Sequence, residues 1–331
     1  GPTGSPAAKS GPPPGAVDVL IRDYKQWRGY KKLKPKTKRS YDWNLSIISE
    51  WIGEVPVRAV NARMIDQFYT AMHAVTPAKA NGLIRVLQLL LRSSHIIYKP
   101  SQPGYIEFNP ARKLSLVTIR KPGVIWPGDA VRLFVEAADK MGRHSVGTAV
   151  ALNEWLGQRE GDIIGMPRSV YRQGTLTVTQ AKTGAVVTLP IDMVGAVRRR
   201  LEEEFQRQEA RGVAGVAGGP LLICETTGRA WKEDHFRHVF AAVRAKAAAK
   251  WPAWILDHRP DLPVATTELW FMHLRHTAVT RLAEASVGIP GIASITGHTI
   301  RSVGTIIERY LIRTGAIARA AFQKRLDVEG E

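Results

Sequence analysis

Cysteine is almost missing: the 331 residues hold one, Cys224, so neither an internal disulfide nor a cysteine-cluster metal site can form. That fits a reducing compartment, and the run Leu221-Leu222-Ile223-Cys224 gives the thiol the setting of a small buried apolar residue. Acidic residues are scarce too: 29 Asp and Glu stand against 47 Lys and Arg, a formal charge of +18. Such an excess attracts phosphate backbones or anionic surfaces. Long apolar runs are lacking, since the most apolar stretch, residues 83–98, is interrupted by Arg85, Gln88, Arg92 and His95. No segment approaches the roughly 18 uninterrupted apolar residues of a spanning helix, so no membrane partner is expected. Familiar chemical motifs are absent as well: there is no G-x-x-x-x-G-K-[ST] loop, H-E-x-x-H, paired Cys/His zinc spacing or G-x-S-x-G elbow. The turn Ala181-Lys182-Thr183-Gly184 lacks the upstream glycines of a phosphate loop. Carboxylates cluster only at Glu202-Glu203-Glu204, which reads as a solvated face of an Arg-flanked helix. Metal-dependent nuclease chemistry therefore has little support, and no metal or cofactor is expected.

What is present is a globular chain of 44% apolar residues whose length suggests about two domains. Residues 1–15 are mostly Gly, Pro, Ser and Ala without periodicity and read as a disordered leader or tag remnant. From residue 16 to 98 apolar residues recur at helical spacing: Val17, Leu20, Ile21, Tyr24 and Trp27, then Tyr41, Leu45, Ile48 and Ile52. Asn61 looks like the cap of a third helix, and Thr76-Pro77 opens a fourth. Between the first two helices, residues 30–39 form a basic loop carrying Lys31, Lys32, Lys34, Lys36, Lys38 and Arg39. Residues 99–127 are rich in Pro and Gly, and the linker is placed at 99–121, with Arg112, Lys113, Arg120 and Lys121 forming a basic strap. The second domain, 122–331, reads as helices at about 128–140 and 144–156, three short strands near 169–172, 176–179 and 186–190, and helices at about 192–211, 232–250, 273–286, 289–296, 300–313 and 316–326. The fold class is mainly α (α+β): a four-helix domain followed by a helical domain with a small antiparallel sheet.

Chemistry is concentrated in cations and one tyrosine. Arg159 in LGQREGDI follows an apolar helix, with Asp162 three residues on. Lys182 occupies a turn between two strands. Arg275 lies in WFMHLRHTAVTRLAEA beside His273 and His276, His298 follows Gly297 in SITGHT, and Tyr310 falls in GTIIERYL. Taken singly, Arg159 also suits a capping or Asp162-paired arginine and Tyr310 a core tyrosine.

Arg159 with Asp162, Lys182 in a turn, LRHT at Arg275, Gly297-His298 and Tyr310 twelve residues later together resemble the tyrosine recombinases, the phage-type integrases, and ITGHTIRSVGTIIERYL resembles integrases of prophages and genomic islands. The four-helix basic module resembles that family's core-binding domain, so the resemblance spans nearly the whole chain. It implies a site-specific DNA recombinase that cleaves and rejoins strands through a 3′-phosphotyrosine, integrating or excising a prophage or other mobile element. Arg159 and Arg275 would clamp the phosphate, Lys182 would be the general acid, His298 would hydrogen-bond the phosphate, Tyr310 would be the nucleophile, and Asp162 would orient Arg159. Arginines suit this task because charge accumulates on the non-bridging oxygens and a guanidinium offers fixed, bidentate donors. One position departs from the pattern: the family's histidine three residues before the second arginine falls on Met272, and the histidine stands at His273. One residue is about 100° of helix rotation, so either local geometry brings His273 inward or the site leans on His298.

Expected DNA contacts are Lys31, Lys36, Lys38 and Arg39, then Lys232, Arg237, Arg244 and Lys246 on helix 232–250, and Arg281. The resemblance further implies a two-domain clamp on double-stranded DNA, a tetramer in which the last helix (Ile317, Ala320, Ala321, Phe322) is exchanged between protomers, accessory bending or directionality factors, and a cytoplasmic, nucleoid-associated setting. Two alternatives stay open: a type IB topoisomerase-like nicking and resealing enzyme, and a DNA-binding protein of this fold that does not cleave.

Overall fold

The computed structural model describes residues 11–117, 124–212, 219–249, 269–310 and 315–329. The chain divides into two compact units, 1–121 and 122–331.

The first unit is helical: α1 (Val17–Gln26), the single turn α2 (Arg28–Lys31), α3 (Pro35–Ile52), α4 (Ala62–Val75) and α5 (Pro77–Ile97). Each helix buries one stripe. Leu20, Ile21 and Tyr24 of α1 and Leu45, Ile48 and Ile52 of α3 meet Leu83, Ile84, Leu87 and Leu90 of α5 in one core. Asn61 caps α4, its side-chain oxygen accepting from the Met64 amide at 3.0 Å. The basic segment is not the expected loop, because Pro35 takes the first helical position and starts α3 there. Lys36, Lys38 and Arg39 therefore stand on the opening turns of α3.

Most of the expected linker is also ordered against this unit. Ile106 and Ala111 are buried in its core, Gln88 donates to the Ala111 carbonyl and Asn109 to the Gln88 carbonyl, both at 2.8 Å. Asn81 donates to the Val117 carbonyl at 3.0 Å. Proline and glycine here shape a packed extension whose backbone polar groups are met by α5 side chains. Arg120 and Lys121 of the strap lie outside the described residues.

The second unit opens with α6 (Gly128–Lys140), α7 (His144–Leu156) and the short α8 (Glu160–Ile164). A three-stranded antiparallel sheet follows in the order β1 (Tyr171–Arg172), β2 (Thr175–Thr179), β3 (Val186–Pro190), with Leu176 opposite Leu189 and Val178 opposite Val187. Alternation sends Leu176, Val178, Val187 and Leu189 into the core and their neighbours to solvent. Then come α9 (Gly195–Ala210), α10 (Glu233–Ala248), α11 (His273–Glu284), α12 (Ile289–Thr296), α13 (Ile300–Tyr310) and α14 (Gly315–Glu329). Trp126, Phe134, Phe236, Phe240 and Phe271 form the aromatic centre of the core. Cys224 is fully buried there, as its apolar run implies.

Glu204 overturns the reading of the triple-glutamate face. It is 3% exposed and accepts from Arg207 at 3.0 Å and from Thr148 at 3.4 Å. Helical rotation carries Glu202 and Glu203 outward and turns the third carboxylate under α7.

Candidate active site

Two helices end on left-handed glycines, and the site begins where they stop. Gly157 (φ 57°) ends α7 and Gly297 (φ 64°) ends α12, the backbone state glycine adopts without strain. A Cβ at Gly157 would meet the Ala278 side chain at 2.9 Å, and one at Gly297 would meet the Gln180 amide at 2.2 Å. Gln158 and Arg159 follow the first glycine and His298 the second.

Arg275 lies on the first turns of α11 and is 8% exposed. Its Nη1 donates to the carbonyls of Gly157 and, at 2.8 Å, of Thr296. Its Nε donates to His298 Nε2 at 3.0 Å. Burial first, and then the cation of Arg159, push its pKa down to about 10. It stays charged at neutral pH, beside a second guanidinium that repels it.

Arg159 stands at the N-cap of α8 and donates to Gln180 Oε1 at 2.7 Å. Asp162 Oδ2 lies 3.7 Å from Arg159 Nη1, and its Oδ1 accepts from the Ala181 amide at 2.9 Å. The carboxylate is buried, so it braces both Arg159 and the β2–β3 turn. Lys182 is exposed on that turn, which is closed by Gly184 (φ 73°) donating its N–H to the Gln180 carbonyl at 2.8 Å.

His298 is half-buried, with Nδ1 2.8 Å from Thr296 Oγ1. The Thr296 hydroxyl donates to the Ile292 carbonyl, so it is the acceptor toward the ring. Nδ1 therefore carries the proton, while Nε2 accepts from Arg275. Burial first, then Arg275, lower the His298 pKa to about 3, which holds the ring neutral.

Tyr310 is the last residue of α13, its side chain outside what is described, as is that of Ile317 on α14. His273 opens α11, and its Nδ1 accepts from the Trp270 amide at 3.1 Å. Met272 is 63% exposed.

The expected DNA contacts divide sharply. Lys31, Lys36, Arg39, Lys232 and Lys246 are exposed, and Lys38 lies over the Tyr30 ring at 5.7 Å. Three others already have partners within the protein. Arg237 pairs with Glu160 at 2.8 Å, Glu233 at 3.1 Å and Asp234 at 3.7 Å. Arg244 stacks on Trp270 at 4.1 Å and donates to the Leu269 carbonyl. Arg281 bonds Glu154 and the Trp126 carbonyl.

Sequence reasoning missed Gln158 and Gln180, both fully buried. It noted His276 beside Arg275 but gave it no role; the ring is half-buried and its pKa falls through burial, Arg275 and Arg309. In the first unit it missed a groove lined by Arg85, Arg92, Arg112 and Lys113 with Phe108 78% exposed. No group of three or more metal-ligating side chains is assembled among the described residues. None of the described helices is long and apolar enough to cross a membrane.

Comparison with solved structures shows the fold. The chain is similar to a lambda integrase dimer bound to a COC′ core site, with a TM-score of 0.67, 17% identity, and coverage of 88% of this chain and 77% of that one. It is similar to the Tn1549 transposon integrase in complex with transposon right end DNA (TM-score 0.65, 17% identity, 93% and 99% covered). A third likeness is to the XerH site-specific recombinase bound to a palindromic difH substrate in a post-cleavage complex (TM-score 0.63, 13% identity, 88% and 84% covered). All three are tyrosine recombinases, so the chain carries the tyrosine recombinase fold, mainly helical with a small antiparallel sheet. No protein-family model and no curated protein sequence matches the chain.

Proposed function

We propose that the protein is a site-specific DNA recombinase that cuts and rejoins strands through a covalent 3′-phosphotyrosine. One observation carries this reading: Arg159 bonds Gln180 and Arg275 bonds the Thr296 carbonyl that Gln180 also holds, so two arginines converge on one place, where the Arg159 cation lowers the Arg275 pKa and Asp162 raises it. A second cation beside a buried one is costly, and a phosphodiester would relieve it.

In the proposed reaction the Tyr310 phenol oxygen attacks phosphorus, forming the O–P bond as the P–O5′ bond breaks. The phenol proton passes to water or to a side-chain base, and the departing 5′ oxygen takes a proton from the Lys182 ammonium. Arg159 and Arg275 bind the non-bridging oxygens as charge grows there. His298, neutral and accepting from Arg275 Nε, aims that guanidinium. Rejoining reverses the sequence with the 5′ hydroxyl of a second strand. His273 is given no base role, since its Nδ1 is engaged by the Trp270 amide.

Lys31, Lys36, Lys38, Arg39, Lys232, Lys246 and the groove of Arg85, Arg92, Arg112 and Lys113 would contact duplex phosphates. Assembly as a tetramer on DNA, exchange of α14, accessory factors, a prophage or mobile-element context and a nucleoid location belong to the same proposal. A nicked suicide duplex tests the chemistry: the chain should form a covalent adduct that Tyr310→Phe abolishes. Sequence-independent binding without any adduct would favour the non-cleaving alternative, and relaxation of supercoils without strand exchange the topoisomerase-like one.

A further inference from the structure

Arg159, Lys182 and His298 stand in or just after the turns that follow α7, β2 and α12, and a polar bridge joins these turns. Gln180, at the end of β2, has no exposed surface. Its Nε2 donates to Gln158 Oε1 at 2.7 Å and to the Thr296 carbonyl at 2.9 Å. Its Oε1 accepts from Arg159 Nη1 at 2.7 Å and from Thr183 Oγ1 at 3.0 Å. Both amide protons and both lone-pair directions are used, the full capacity of a glutamine side chain. Gln158 extends the bridge by donating to the Leu156 and Ile295 carbonyls, at 2.9 and 2.8 Å. The close packing of Gly297 against this amide leaves no room for a side chain between them.

On the recombinase reading, we infer that Gln180 is a positioning residue that locks the Lys182 turn to Arg159 and to the Thr296–His298 turn, so that the acid and the phosphate clamp are placed as one unit. Arg159 and Thr183 share a single acceptor atom, so the tip of the β2–β3 turn is registered directly on the guanidinium that grips the phosphate. Lys182, next to Thr183 and exposed, otherwise sits on a short hairpin end. A residue of another type at 180 cannot replace the bridge: a carboxylate lacks the two donors, a lysine or arginine lacks the acceptors, and an apolar chain leaves Arg159 Nη1, Gln158 Oε1 and the Thr296 carbonyl without this partner.

The test uses the full chain on nicked suicide duplexes carrying either the normal oxygen or a bridging sulfur at the scissile 5′ position. A thiolate leaves without protonation, so the sulfur duplex removes the need for an acid. Thr183→Val alters an exposed residue and frees only the turn; Gln180→Met keeps side-chain length and frees both the turn and Arg159. Thr183→Val should slow adduct formation on the oxygen duplex by about tenfold and recover on sulfur. Gln180→Met should lose roughly a hundredfold on oxygen and regain only part on sulfur, with DNA affinity unchanged. Rates equal to the parent, or equal losses on both duplexes, overturn the positioning role. An unaltered chain that forms no adduct on either duplex overturns the recombinase reading itself.

Discussion

The opening turns of α3 and the length of α10 each carry three cations, yet Arg39 on the one and Arg237 and Arg244 on the other use their charge in opposite ways. Arg39 is exposed on α3. Arg237 on α10 is spread over Glu160, Glu233 and Asp234, and Arg244 lies flat on Trp270. On the proposed reading the exposed cations of the first region are open to DNA, whereas Arg237 and Arg244 of the second hold the protein's own groups. Arg275 is a third case: buried, fixed to backbone carbonyls, and still next to another cation. Net charge therefore overstates how many cations stay open to solvent, and pairing decides which do.

The largest effect that would sharpen this contrast is at Arg275. Arg275→Ala should reduce adduct formation by about 10² to 10³, since it removes donors from the developing charge, while equilibrium binding to an uncleavable duplex stays close to the parent. A parallel loss of binding would erase the distinction between gripping and catalysing cations. Arg281→Ala should cost about 1–3 kcal/mol of stability, read in a denaturant titration, because Glu154 and the Trp126 carbonyl lose a partly buried donor. Its slope of log affinity against log salt should not move, and a shallower slope would return Arg281 to the DNA face.

His298 predicts a pH effect. Its folded pKa, about 3, lies below the ordinary value of 6.5. The unfolded chain binds the proton first as pH falls, so this contribution to stability is complete above about pH 6.5 and is lost progressively toward pH 3. His298→Gln should flatten that part of the stability profile; an unchanged profile would show that the ring is not held neutral. The smallest effect belongs to the exposed cations: Lys31→Ala with Arg39→Ala should shallow the salt slope by roughly 0.9 per lost phosphate contact, and Arg237→Gln should leave it unaltered.

Helix and strand placement was legible because apolar periodicity and cap residues are local: α6, α7 and the β2–β3 pairing lie close to where their spacing put them. Arg159, Lys182, Arg275, His298 and Tyr310 are picked out by the order they share with the tyrosine recombinases and Asp162 by its three-residue spacing, and of these the structure joins Arg159 to Asp162 and Arg275 to His298 directly. What stayed hidden depends on partners distant in the chain. Arg237 meets Glu160 from 77 positions away and Arg281 meets Glu154 from 127, so no local pattern announces that they are occupied. The burial of Glu204 follows from the phase of α9 against α7, which three consecutive glutamates conceal. Gln158 and Gln180 carry no charge and match no motif; the one available signal was their position beside Arg159 and Lys182. The packed extension at 99–117 was obscured because proline and glycine mark irregular backbone whether it is loose or docked.

The solitary thiol has a practical consequence for optical experiments. Cys224 is sealed in the core, so a maleimide dye has no competing site elsewhere on the native chain. Val186, 62% exposed where β3 leaves the turn, can be replaced by cysteine and labelled alone, giving a fluorophore a few residues from Lys182. Stopped-flow mixing with duplex would then time the turn's response to DNA against the appearance of the covalent product, without rebuilding the protein's own cysteine.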